Sequence, residues 1–144
     1  MSMGYGANFA EVIAEKNVEK IVGNDGKGKS LVAKLKKMMG DIFECEYEAV
    51  DYLMDNPPCG DYDEAKAEKF AELYRTIVEK FKAETGLELE LMYHDQDNDG
   101  DRYDAVDGLY WEVFGCYVPS PSLLKLREKF GDDVVERKFF VTYG

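Results

Sequence analysis

The stretch FAELYRTIVEKFKAETGLELEL, residues 70–91, changes its apolar period from that of a helix to that of a strand. Its first part carries an apolar stripe at helical spacing, formed by Phe70, Leu73, Tyr74, Ile77, Val78 and Phe81. Gly86 stands where a glycine cap ends a helix, and leucine then alternates with glutamate from Leu87 to Leu91. The stretch therefore predicts a long helix that leads directly into a half-buried strand.

The N-terminal half of the chain holds most of the predicted helices. We interpret residues 4–13 as a strand that leads into a short helix over 15–22, although the apolar spacing also fits a helix that starts earlier. Ser30 is a good N-cap for the next helix, whose apolar residues continue at helical spacing to Asn56, with a candidate break at 40–41. With the long helix, which we expect to begin near Asp61 or Asp63 and to end at Gly86, these patterns predict three helices before the leucine-glutamate strand.

The C-terminal half is richer in strands. Residues 109–118 are mostly aromatic and branched, and residues 134–143 alternate, so each predicts a strand. Between them, Ser120 and Pro121 open a short helix that Gly131 closes. The predicted order is β-α-α-α-β-β-α-β in a single domain of 144 residues. This order indicates an α+β fold with the helices on one face of a small, mostly antiparallel sheet.

The charge of the chain limits its partners. The formal net charge is −12, which opposes direct binding to nucleic acid and to anionic membranes, and suits metal ions or basic proteins. Residues 20–37 are an exception, with six lysines against Asp25. This basic segment could pair with the acidic loop of its own or another copy, or hold a phosphate.

The sequence also indicates a compartment. Cys45, Cys59 and Cys116 have no paired CxxC spacing, so neither a disulfide framework nor a zinc site is predicted. The start of the chain has no basic region followed by an apolar run, and no apolar stretch approaches about 18 residues. We therefore expect a cytoplasmic protein.

An acidic run, DQDNDGDRYDAVD, covers residues 95–107. Only Arg102 opposes its carboxylates, which repel one another unless a cation or a basic partner neutralises them. The run lies between two predicted strands, so it is expected on an exposed connection. We therefore predict a partner-binding site formed by Asp95, Asp97, Asp99, Asp101, Asp104 and Asp107.

The same run offers a metal site. The pattern D-x-D-x-D-G resembles the first half of an EF-hand calcium loop, in which alternate carboxylates converge on the ion. The resemblance implies side-chain ligands from Asp95, Asp97 and Asp99 and a backbone carbonyl ligand from Asp101. Val106 stands where the loop has its bidentate glutamate, so we expect weak affinity. The alternative is a solvated turn of ordinary turn residues.

A second motif lies at residues 23–30, where GNDGKGKS matches the phosphate-loop pattern G-x-x-x-x-G-K-S/T. The pattern predicts nucleotide contacts from the backbone of Gly28, the ammonium group of Lys29 and the hydroxyl of Ser30. Such loops require a buried parallel sheet, and the predicted sheet is mostly antiparallel. The alternative is a glycine-lysine turn whose Ser30 only caps a helix.

The leading hypothesis is a small acidic binding protein that engages a basic surface, including that of a nucleic-acid-binding protein. In size and charge it resembles the acidic inhibitors, including DNA mimics, with which phages block host nucleases. We favour a binding protein over an enzyme. No cofactor is required, and calcium is the one candidate. The alternatives are a calcium-binding module and a nucleotide-binding protein.

Overall fold

The computed structural model of the chain describes residues 5–56, 58, 60–94, 106–116 and 120–143. The elements in these ranges are β1 (Tyr5–Ile13), α1 (Glu15–Val22), α2 (Leu31–Ile42), α3 (Glu46–Leu53), α4 (Glu64–Thr85), β2 (Glu88–His94), β3 (Gly108–Phe114), α5 (Pro121–Phe130) and β4 (Val135–Tyr143). Among the described residues, none of the helices combines the length and the hydrophobicity of a membrane-spanning segment.

The strands form an antiparallel sheet in the order β2-β3-β1-β4. β2 and β3 form a hairpin, and β1 pairs along its whole length with β4. β1 meets β3 only at Val12 and Ile13. The helices pack against this sheet, so the predicted α+β class and the mostly antiparallel sheet are confirmed.

Local signals fix the ends of the long helix α4. The Asp63 side chain accepts a hydrogen bond from the Lys66 N–H at 3.2 Å, which satisfies one of the free donors of the first turn. At the other end Gly86 is left-handed, with φ of 76°, and its N–H donates to the Lys82 carbonyl. The predicted stripe provides three fully buried side chains, those of Phe70, Ile77 and Phe81.

One face of the sheet closes the core under the helices. Leu89 and Leu91 of β2 and Trp111 and Val113 of β3 are each no more than 3% exposed. They belong to the same buried cluster as the helix residues, including Phe70. Since side chains alternate along a strand, the residues between them point to the opposite face.

The predicted order counts one helix between Ser30 and Asn56, with a candidate break at 40–41, whereas the structure has two helices there and five in the described ranges. Gly40 lies inside α2, and the break comes at Phe43, whose backbone is extended with φ of −112° and ψ of 151°. The extended backbone turns the Phe43 ring into the core, edge-on to Phe70 with 5.5 Å between ring centres. α2 thus ends immediately before Phe43, beyond the predicted break at 40–41, and the Phe43 ring packs in the core.

Candidate functional site

The acidic run connects the two strands of the hairpin, as predicted. β2 ends at His94, β3 begins at Gly108, and these two residues are paired. Asp107 is described and exposed. The other five predicted partner-binding residues lie outside the described residues: Asp95, Asp97, Asp99, Asp101 and Asp104. The first four of these are also the proposed calcium ligands. In the described ranges no group of three or more potential ligands is arranged to hold a metal ion.

The hairpin carries a second acidic surface on the side of the sheet opposite its buried residues. Between the buried leucines of β2 and the buried Trp111 and Val113 of β3, side chains alternate to the other side of the sheet. We call this side of the hairpin the outer face, formed by Glu88, Glu90 and Met92 of β2 and Tyr110, Glu112 and Phe114 of β3. Glu88 is exposed, and the other five are half-buried.

Two glutamates oppose each other at the centre of the outer face. Glu90 and Glu112 are direct cross-strand partners. Side chains in this relation lie within about 5 Å at their Cβ atoms, and like charges there destabilise the pair. Neither glutamate has a hydrogen bond or an ion pair with any described residue. Among the residues that the structure describes, this pair of carboxylates is therefore uncompensated.

The proton affinity of both carboxylates reflects this placement. Partial burial raises the pKa of Glu90, and the neighbouring Glu88 raises it further. Partial burial likewise raises the pKa of Glu112, with added repulsion from Glu90 and from Glu11. A cation placed between Glu90 and Glu112 would reverse both effects, because it stabilises the charged forms.

Two other glutamates of the sheet, Glu88 and Glu136, each form an ion pair with a lysine. Glu136 of β4 lies in the same cross-strand row as Glu112, with Val12 between them, and its carboxylate is 3.2 Å from Lys138 Nζ. Glu88 is 3.4 Å from Lys82 Nζ, with both side chains more than half exposed. Exposed pairs of this kind are worth little energy, but within the described residues Glu90 and Glu112 lack even such a partner.

Apolar side chains flank the two carboxylates. Tyr110 lies opposite Met92, two residues along each strand from the pair of Glu90 and Glu112 and on the same face. Burial, followed by the charges of Glu112 and Glu90, raises the pKa of Tyr110 to about 12, so its hydroxyl stays protonated. An aromatic ring beside paired carboxylates suits a lysine or arginine, whose stem packs on the ring while its head meets the charge.

Most of the net negative charge of the chain lies in the hairpin and its connection. Residues 88–114 contain nine acidic residues and one arginine, a formal charge of −8 out of −12. The acidic connection follows β2 directly in the chain, so most of the net charge lies in this part of the sequence.

Stability should depend on pH through the central pair. A carboxyl whose pKa is raised by folding binds its proton more tightly in the folded state, so its contribution to stability is complete below the unfolded pKa. That contribution is lost as the pH rises from the ordinary value of 4.5 through the raised values of Glu90 and Glu112. We expect the double substitution Glu90→Gln and Glu112→Gln to remove this loss, measured by urea unfolding between pH 4.5 and 7.

The matched control is Glu68→Gln with Glu72→Gln on α4, two exposed glutamates one turn apart. The control should keep the wild-type decline of stability in this pH interval. An equal change in both double variants would contradict the role given to the central pair.

Residues 23–30, which match the phosphate-loop pattern, form a turn in which the Asp25 carboxylate accepts hydrogen bonds from backbone N–H groups. Asp25 Oδ1 accepts hydrogen bonds from the N–H groups of Lys27, at 2.8 Å, and Lys29, at 3.2 Å. Asp25 Oδ2 also lies 3.3 Å from Lys34 Nζ. These bonds, led by the one from Lys27, hold the pKa of Asp25 below its usual value. Asp25 thus takes backbone donors of the kind that a bound phosphate uses.

The predicted nucleotide ligands lie in or next to this turn. Gly28 has φ of 87°, and Lys29 follows it as an exposed residue. The Ser30 hydroxyl caps α2 by accepting from the Ala33 N–H at 3.2 Å, and it lies 3.4 Å from a carboxylate oxygen of Glu19. The turn follows helix α1 and not a strand, and the sheet is antiparallel. The nucleotide-binding hypothesis therefore lacks its required context.

Comparisons of the chain with protein-family models, with curated proteins and with solved structures give no match. The candidate site therefore depends on the chemistry of the chain itself. Sequence reasoning singled out the acidic connection and missed the outer face. The available signal was the alternation of Glu88 and Glu90 with leucine, together with Glu112 between Trp111 and Val113.

Proposed function

We propose that the protein is a small acidic binding protein that engages a basic protein through the outer face and the 95–107 connection. The observation that carries the proposal is the uncompensated pair Glu90 and Glu112 at the centre of the outer face. A lysine or arginine of a partner would neutralise both carboxylates and pack against Tyr110. Binding would thus relieve a repulsion that the free protein carries.

A basic protein fits this surface better than other cation sources. Calcium takes six to eight oxygen ligands, and the central pair supplies two carboxylates on neighbouring strands. Nucleic acid would be repelled by a hairpin with a charge of −8. A concentrated field of one sign speeds and orients docking onto a surface of the opposite sign.

The charge pattern also suggests a type of action. A negative surface that docks on a nucleic-acid-binding protein occupies the site of the nucleic acid, which is how an acidic inhibitor or DNA mimic acts. No catalytic step is part of this proposal, and we place the protein in the cytoplasm. Its partner would then be a cytoplasmic protein with a cluster of lysine and arginine residues.

A calcium-binding module is the second candidate, favoured by the D-x-D-x-D-G pattern at residues 95–100. The two functions use different parts of the hairpin. Calcium requires the carboxylates of Asp95, Asp97 and Asp99, whereas a basic partner also uses the outer face. A single titration can separate them by the residues that respond.

The test is a titration of the ¹⁵N-labelled full chain with a lysine-rich peptide, followed by amide chemical shifts. We expect shifts concentrated in residues 88–94 and 106–114, because these strands carry the outer face. Exposed positions of α4 such as Glu68 should respond little. Absence of shifts, or shifts centred on the helices, would refute the proposed surface. With calcium alone, shifts confined to the 95–107 connection would favour the second candidate.

A further inference from the structure

A small cleft lies between α1, the C-terminal end of α4 and α5. Its volume is about 120 Å³, and three lysines line it: Lys20 of α1 and Lys125 and Lys129 of α5. Glu84, in the last turn of α4, is the acidic residue that the described part of the chain contributes to the lining. The formal charge of this lining is therefore positive, in contrast to the net charge of −12 for the chain.

The three lysines lack compensation within the described residues. None of them forms an ion pair with a described residue, whereas Lys34, Lys36, Lys82 and Lys138 do. Lys125 and Lys129 are one turn apart on α5, a spacing at which like charges repel. Lys129 Nζ lies 5.5 Å from the centre of the Phe130 ring. The cleft thus gathers ammonium groups in an arrangement that an anion would stabilise.

The size of the cleft limits the anion. A volume of about 120 Å³ has room for one tetrahedral oxyanion. Pockets for whole drug-sized ligands start at roughly 300 Å³. The Thr85 hydroxyl is engaged with the Phe81 carbonyl and the Leu87 N–H, whereas Ser122 brings a hydroxyl with no such bond to a described residue.

We propose that this cleft binds a phosphate dianion, either as free phosphate or as the phosphoryl group of a larger molecule. Lys20, Lys125 and Lys129 supply the positive charge, and the Ser122 hydroxyl donates to a phosphate oxygen. The Glu84 carboxylate repels the anion and lowers the affinity of the cleft for it. The competing explanation is that the lysines only complement the negative C-terminal end of α4, in which case phosphate has no effect.

The test is the thermal stability of the full chain in phosphate and in chloride at equal ionic strength. We expect phosphate to raise the melting temperature by mass action. The double substitution Lys125→Gln and Lys129→Gln should weaken phosphate binding at least about tenfold. Glu84→Gln should strengthen it, because a repulsive charge is removed. Lys125→Gln alone, which should weaken binding by a smaller factor, serves if the double variant fails to fold by circular dichroism.

Two controls locate the response. Lys66→Gln with Lys69→Gln removes two exposed lysines near the start of α4, and Lys29→Gln removes the lysine of the phosphate-loop pattern. Both should leave phosphate binding unchanged. No response in the wild type, or an equal response in the Lys125 and Lys129 double variant, would overturn the proposal, as would a loss confined to Lys29→Gln. With glycerol phosphate as a second probe, tighter binding assigns the phosphoryl group to a larger ligand, and equal binding assigns it to free phosphate.

Discussion

Replacing Phe70 by alanine is expected to lower the free energy of unfolding by about 3–5 kcal/mol. Phe70 has no exposed surface, and its ring meets that of Phe43 edge-on at 5.5 Å. The substitution removes the buried ring and leaves a cavity where α4 faces the aromatic residue that ends α2. Urea unfolding, followed by circular dichroism at constant pH, measures the change.

The matched control is the same substitution at Phe9, whose side chain is 62% exposed on β1. Surface substitutions usually change stability by no more than about 0.5 kcal/mol, so Phe9→Ala should be nearly neutral. Similar losses at Phe70 and Phe9 would contradict the placement of the core between α4 and the inner side of the sheet.

Short-range signals predicted much of the fold. The apolar stripe of α4, its cap at Gly86 and the Ser120 cap of α5 each depend on residues within one or two turns. The Ser120 hydroxyl accepts from the Leu123 N–H at 3.1 Å, as the sequence suggested. Such features survive in the folded chain because local and tertiary preferences agree there.

The features of the fold that the sequence did not predict depend on long-range contacts. The break after α2 comes at Phe43, whose ring packs against Phe70, 27 positions away in the chain. The order β2-β3-β1-β4 places the first strand between the third and the last. Strand pairing of this kind follows from the shape of the whole core, and no local pattern encodes it.

The candidate site divides in the same way. Composition alone revealed the acidic connection, but the central pair of the outer face requires the hairpin register, since Glu90 and Glu112 lie 22 positions apart. The phosphate-loop pattern did not predict the hydrogen bonds of its own turn, because Asp25 stands at one of its variable positions. That carboxylate, which the pattern ignores, accepts the N–H groups of Lys27 and Lys29.

Neutralising the outer face is expected to weaken binding to a basic partner at least about tenfold, or about 1.4 kcal/mol. The change is the triple substitution of glutamine for Glu88, Glu90 and Glu112, which retains size and hydrogen-bonding capacity. Each partly exposed carboxylate contributes roughly 0.2–1 kcal/mol to an ion pair with the partner. The wild type also gains binding energy because the partner relieves the repulsion between Glu90 and Glu112, and the variant loses this gain. Calorimetric titration with polylysine at low salt measures the affinity.

The control variant has the same change in net charge, made at a different place on the surface. Glutamine for Glu64, Glu68 and Glu72 removes three charges from the exposed side of α4. A general effect of net charge would weaken binding equally in the two triple variants, because both chains change from −12 to −9. A specific site would weaken binding only where the outer face is altered.

The salt dependence of polylysine affinity, measured for the wild type and both triple variants, tests the central claim most directly. The outer-face variant should bind more weakly and lose affinity less steeply as salt rises, because it forms fewer ion pairs. The α4 variant should match the wild type in affinity and slope. Equal affinities and slopes for the two variants would contradict the claim that the outer face of the hairpin is the binding surface.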